Sequence, residues 1–381
     1  MIRMNRSFGP FCRVLLLLLA AALFPAGAEA HAAASSAGRA EDTAAQEIAE
    51  EEPDVKRIVL GHVGDSYEWH IATAGGREWS LPLPVIVHSP SSGWHCFSAK
   101  RLRGGAEYEG LRIAAGGDHA GKIVERQADG SDLRPLDLSI TKTVAGLLLN
   151  SALVVALVLG AARWYRGRKP DAAAPRGVVG LFETLVESLV DDLIEPCVGP
   201  SYRRFAPYLL TVFCFIFLNN LMGLIPFFPG GANVTGNIAV ALVLAVATFL
   251  VVNLSGSRHY WKDIFWPDVP TWLKVPVPII PLIELVGVFT KPFALMIRLF
   301  ANMLAGHAVI LSLTCVVFVT VKMGAAVNAS MTALSVLFSI FMNCLELLVA
   351  FLQAYVFTML SAVFIGLAQE RGGEADAGAE K

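Results

Sequence analysis

Hydrophobic positions crowd into the second half of the chain, and their spacing changes as the chain proceeds. Residues 143–162 form an apolar run of about 20 residues, the length a helix needs to cross a bilayer. Between 177 and 195, Val178, Leu181, Leu185, Leu189 and Leu193 recur at steps of three or four, while Glu183, Glu187, Asp191 and Asp192 largely fall elsewhere. That period predicts an amphipathic helix at a membrane interface. Residues 206–228 and 237–254 predict a second and a third span, joined by the uncharged loop PFFPGGANVTG. Two longer helical patterns follow, 278–322 and 327–369. Each would reach roughly 67 Å at 1.5 Å per residue, twice what a perpendicular crossing of a ~30 Å core requires. The turn at 322–326 is short, so the two are expected as antiparallel neighbours, steeply tilted.

The first part of the chain follows another rule. Residues 55–138 hold short β-branched or aromatic runs such as VKRIVL, YEWHIATA and REWSLPLPVIVHS, cut by SPSSG, RGG and AGG. That punctuation predicts a small β-rich domain. Before it, residues 31–54 are rich in Ala and Glu and read as a flexible linker. Residues 1–30 read as a signal peptide, with Arg3 and Arg6, an apolar Leu15 to Phe24, and Ala28-Glu29-Ala30 as the cleavage site. The fold class expected is an all-α polytopic membrane protein of about five spans, the last two a long hairpin, plus the small β-rich domain.

Charge fixes the expected orientation. Arg163, Arg166, Arg168 and Lys169 follow the first span within residues 139–172, which places that end in the cytoplasm and the β-rich domain outside, in agreement with the signal peptide. Arg203, Arg204, Arg258, Lys262 and Lys274 obey the same rule for the next spans, and the 370–381 tail falls in the cytoplasm. Only 16% of residues are charged and 55% are hydrophobic, a balance that points to a bilayer. The net charge of -2 argues against nucleic acid as a partner. Six scattered cysteines give no CxxC and no disulfide framework. His62, His70, His88, His95 and His119 lack close ligand pairs, so no metal site is expected.

Candidate chemistry lies in the long hairpin. Glu284, Lys291 and Arg298 are seven residues apart, a step that drifts only about 20° on a helix, so they share one face. Asn302 joins that face, and His307 points to the other side. On the second helix Ser339, Asn343, Glu346 and Gln353 form a comparable stripe. Together the stripes predict a hydrated path and a shared interior. An arginine amid LMI and LFANML costs ~3 to well over 10 kcal/mol at the bilayer centre, and it cannot deprotonate to escape. It either holds a helix pair through Glu284 or Glu346, or it works on an ion.

The stretch ELVGVFTKPFALMIRLFANMLAGH (284–307) resembles the signature of F-type ATP synthase subunit a. FLNNLMGLIP (217–226) is similar to an element of that family's preceding span, and LQAYVF (352–357) to one of its final helix. The likeness runs from about 178 to 369, so 173–369 is read as the family core. It implies a proton-translocating stator subunit of the F0 sector in the bacterial inner membrane, non-catalytic itself and without a cofactor. Its partners would be the c-ring, the b subunits of the peripheral stalk, the remaining subunits and membrane lipid. The resemblance also implies roles. Arg298 faces the c-ring carboxylates and Gln353 neighbours it. His307 and Glu346 line the outer half-channel, exchanged relative to well-known bacterial members, and Glu284 lines the inner one. Asn302 fixes packing near the arginine. Gly223 stands where some relatives carry aspartate, so no channel role transfers there.

Other functions are weighed against this one. A secondary ion transporter would show an internal repeat and interrupted helices. An intramembrane hydrolase would need HExxH or a nucleophile–base pair. A sensor would need a cytoplasmic output domain. None of these features is found in the sequence, nor is a GxxxxGK[ST] phosphate loop.

Overall fold

A computed structural model describes residues 64–74, 77–114, 116, 119–127, 131–166, 175–225, 230–265 and 279–369. The expected signal peptide, linker and tail, together with His62, Arg168, Lys169 and Lys274, lie outside the described residues. The described chain is a β-rich region followed by long apolar helices.

The β-rich region carries eight short strands among the described residues: β1 Glu68–Ala74, β2 Arg77–Pro82, β3 Pro84–Ser89, β4 Gly93–Ser98, β5 Leu111–Ile113, β6 Ile123–Arg126, β7 Asp132–Leu133 and β8 Leu136–Asp137. They pair antiparallel in three sheets, β1-β2, β4-β3-β8 and β5-β6-β7. Alternation along β3 explains the packing: Val85 and Val87 turn inward while Pro84 is exposed. With Tyr67, Phe97, Leu102, Leu111 and Ile123 they make one small core. Two polar locks reinforce it. The Tyr67 hydroxyl donates to Asp137, which together with burial pushes the phenol well above its usual range. Glu125, buried between the sheets, accepts from the Ser89 and Ser91 hydroxyls, and those bonds hold its carboxyl below the usual range.

The helices are α1 Lys142–Tyr165, α2 Val178–Ser188, α3 Glu195–Val198, α4 Tyr202–Gly223, α5 Ile238–Ser255, α6 Arg258–Phe265, α7 Ile279–Thr320 and α8 Ala325–Gln369. A π-helical turn, Leu189–Ile194, joins α2 to α3. Five segments are long and apolar enough to cross a membrane: Lys142–Tyr165, Val178–Gly223, Ile238–Ser255, Pro281–Thr320 and Ala325–Gln369. The chain is a multi-pass membrane protein. The amphipathic period of 177–195 is only half used as expected. Val178 and Leu181 stay exposed, whereas Leu189, Val190, Leu193 and Ile194 are buried, because the π turn rotates the second half into the helix core.

Polar side chains inside the bundle pair between helices, the arrangement expected where no water satisfies them. Asn150 on α1 donates to Asn219 on α4 at 2.9 Å. The Tyr208 hydroxyl of α4 is 2.8 Å from Thr248 on α5, which lies 3.4 Å from Ser361 on α8. Phe213 and Phe217 of α4 pack edge-on against Phe351 of α8. The two regions are joined at the head of α1, where Asp65 accepts from the Thr143 amide at 3.0 Å, an acid at a helix N-terminus.

The Glu125 lock yields a signed expectation. A carboxyl whose folded value is depressed stabilises above its unfolded value and ceases to as pH falls through the folded one. Glu125→Ala is expected to lower the melting temperature of the β-rich region at pH 7, followed by near-ultraviolet circular dichroism. The deficit should shrink below about pH 4, where the unfolded carboxyl protonates.

Candidate functional site

Helices α7 and α8 run antiparallel, joined by the 3-10 turn Val321–Met323 and by Gly324 at φ 104°. Their register decides which polar groups meet. Asn302 Nδ2 donates to Gln353 Oε1 at 2.8 Å. Further along α7, His307 Nδ1 lies 2.6 Å from Glu346 Oε1. The imidazole is approached from a third side as well, with Nε2 3.3 Å from the Gly223 carbonyl at the end of α4. The expected acid–imidazole pair therefore forms at the meeting point of α4, α7 and α8.

Small residues make room for it. A Cβ on Gly306 would stand 2.9 Å from Glu346 Oε1, so any larger residue there would push the carboxylate aside. At Gly223 a Cβ would stand 3.7 Å from His307 Nε2, in ordinary van der Waals contact with the ring. At Gly223 the group presented to the imidazole is a backbone carbonyl.

The pair is enclosed, with Glu346 only 5% exposed. Neither Glu346 oxygen has an aligned hydrogen-bond donor among the described residues, and His307 Nδ1 approaches off the bonding line. A buried carboxylate without aligned donors is costly unless a proton, a water or an imidazolium charge compensates.

Arg298 departs from expectation. It is not enclosed by the hairpin but stands on the exposed face of α7, beside the exposed Ile297 and Ala301. The reason is the seven-residue step: the inward positions at that level are Leu295 and Leu299, which join Ala354 and Phe357 in the buried core. Glu284, Lys291 and Arg298 all fall on the outward face. Among the described residues no carboxylate pairs with the Arg298 guanidinium, and Glu346, one proposed mate, is taken by His307. Lys291 Nζ sits 5.5 Å above the Phe364 ring. Glu284 approaches Tyr260 of α6, and burial followed by that negative charge pushes the phenol up. The second stripe divides too: Glu346 and Gln353 face inward, while Asn343 is exposed and donates to its own helix at Ser339 O, 2.8 Å away.

Two groups escaped the sequence argument. Asn220 donates to Ala350 O at 3.2 Å and accepts from Thr235 Oγ1 at 2.6 Å. Asn150 joins the same polar layer through Asn219. Adjacent asparagines within an apolar helix were the available signal, since intramembrane amides seek partners.

The sequence model of the family described as ATP synthase A chain matches residues 148–366, more than half of the chain. A domain of unknown function matches residues 58–138. ATP synthase subunit a 2 of Chlorobaculum tepidum is 47% identical over 242 residues, covering 61% of this chain and 64% of the relative. The chain thus spans just under two thirds of that relative's length. ATP synthase subunit a of Chlorobium phaeobacteroides is 45% identical over 245 residues, 63% of this chain and 68% of the relative. ATP synthase subunit a of Anaeromyxobacter dehalogenans is 34% identical over 333 residues, 82% of this chain and 80% of the relative. That last match is too long to be held by the membrane helices alone and reaches into the β-rich region. With a family match over most of the membrane helices and relatives of this identity and coverage, the chain belongs to the ATP synthase A chain family.

Proposed function

We propose that this chain is the proton-translocating stator subunit of an F-type ATP synthase, working against a ring of c subunits and held by the b subunits of the peripheral stalk. The observation that carries the reading is the buried His307–Glu346 contact at 2.6 Å on the same hairpin as the exposed Arg298, which no carboxylate pairs with among the described residues. The first is a proton relay and the second a fixed cation. Separated by more than two helical turns on α7, they can act in sequence.

Protons arriving from outside reach Glu346 and His307, a carboxylate and an imidazole able to exchange one. From there they pass to a carboxylate on the ring. When that carboxylate comes round to Arg298, the guanidinium a few ångströms away favours its charged form and drives off the proton. Glu284, two seven-residue steps earlier on the same exposed face, receives it on the inner side. The arginine also blocks direct passage between the half-channels, because a second cation avoids it. Gln353, fixed by Asn302, keeps the polar layer beside Arg298 ordered. Each charge crossing 100 mV supplies about 2.3 kcal/mol, which rotation carries to catalytic subunits elsewhere. This chain performs no nucleotide chemistry itself. The basic flank after α1 supports a periplasmic β-rich domain and a cytoplasmic end of α8.

Two outcomes are expected. In inverted membrane vesicles carrying the whole complex, Arg298→Ala should abolish ATP-driven acidification measured by a pH-sensitive dye, at least a hundredfold loss, and intact acidification would refute the role. Single replacements His307→Glu and Glu346→His each leave like groups facing one another and should cut pumping more than tenfold. The double exchange restores one acid and one imidazole, and should recover at least a third of the rate.

A further inference from the structure

The β-rich domain is not tethered by the chain alone. Trp69 on β1 is only 3% exposed, and it belongs to the core of the membrane helices while its neighbour Tyr67 belongs to the domain's own core. Its indole N–H donates to Gly230 O at 3.3 Å. Gly230 opens the segment 230–237 that leads into α5. That segment lies across the end of α4: the Gly231 amide donates to Met222 O at 3.2 Å, and Thr235 Oγ1 to Asn220 at 2.6 Å. Ala232 and Val234 are buried, and a Cβ placed on Gly146 of α1 would meet Ala232 at 2.6 Å. Beneath it stands Gly223, whose vicinity holds the Ala232 carbonyl on one side and His307 Nε2 on the other. A continuous set of contacts therefore runs from Trp69 through the 230–237 segment to the relay.

Unsatisfied polar atoms occur along this route. Asn233 Nδ2 in the segment, Asn150 Oδ1 and Ser151 Oγ on α1, and both Glu346 oxygens are buried without a hydrogen-bond partner among the described residues. Such a set is what a thread of water would satisfy.

We infer that Trp69 is a positioning residue for outer proton entry: the exported domain docks through it and holds the 230–237 segment closed over Gly223 and His307. This rests on the relay role proposed for His307. Entry is then confined to a narrow route beside the segment, and the domain's task is to set that route's width. The ionisable group facing His307 is Glu346 of α8; α4 brings the Gly223 carbonyl, and neither GGANVTGN (230–237) nor α1 from Thr143 to Ala162 carries an ionisable side chain. Any change in relay behaviour after altering Trp69 therefore comes through the position of the segment.

The test uses the whole complex in membranes with Val234→Cys as a reporter, labelled from the outer side by a membrane-impermeant thiosulfonate and quantified peptide by peptide. Adding Trp69→Ala should speed labelling at residue 234 at least tenfold, while buried Cys214 stays unlabelled. Trp69→Phe, which keeps an aromatic ring but loses the N–H donor and part of the indole's volume, should speed it about threefold and move the outer-pH midpoint of ATP synthesis, with subunit content unchanged. Trp94→Phe, an exposed tryptophan of the same domain, should change neither. If Trp69→Ala fails to assemble, Trp69→Phe decides alone. Labelling and pH profile that overlay the parent in an assembled Trp69→Phe complex would overturn the inference. Arg298→Ala in the same membranes separates the two claims, because pumping that survives it refutes the motor role and leaves the docking result to be read from labelling.

Discussion

An ionisable group inside hydrocarbon must be paired, hydrated or in use, and the arrangement of α7 and α8 follows from that constraint. Helices α7 and α8 hold four acidic or basic side chains besides the imidazole, and the fold treats them differently. Glu346 is turned inward and given His307 at 2.6 Å. Glu284, Lys291 and Arg298 are turned outward together by their seven-residue spacing. On the function proposed above, that outward face is where the rotor carboxylates would pass.

The rest of the membrane region serves to hold that hairpin in register. The amide and hydroxyl pairs Asn150–Asn219, Tyr208–Thr248 and Asn302–Gln353 link neighbouring helices at successive levels. Each contributes modestly, on the order of 1 kcal/mol. Their larger effect is on specificity, since a slip of one residue would leave several polar groups unpaired in an apolar medium. Gly306 completes the arrangement by leaving space for Glu346 to approach.

Much of this was legible in the sequence because membranes impose simple rules. Span lengths, the long hairpin with its tight turn, and the shared face of Glu284, Lys291 and Arg298 all follow from helical periodicity. Pairing of His307 with Glu346 was expected from the family resemblance, and the register supplies it. What stayed hidden depended on contacts between distant segments. The Asn220–Thr235 bond and the seat of Trp69 join residues brought together only by packing. The shared interior expected from the polar stripes fails at Arg298 for a physical reason: the face that carries Glu284, Lys291 and Arg298 also carries Ile297 and Ala301 and is turned outward. The π turn at Leu189–Ile194 likewise shifts the helix phase in a way no residue count reveals.

The account stands on the claim that a ring of carboxylate-bearing helices covers the face around Arg298. The direct measurement is a photo-reactive side chain placed at Ala301, in the assembled complex within its own membrane, with the adducts identified by mass spectrometry. Cross-links to the c subunit next to its acidic residue are the predicted result. Adducts formed with lipid alone, in complexes that retain the full set of subunits, would contradict it.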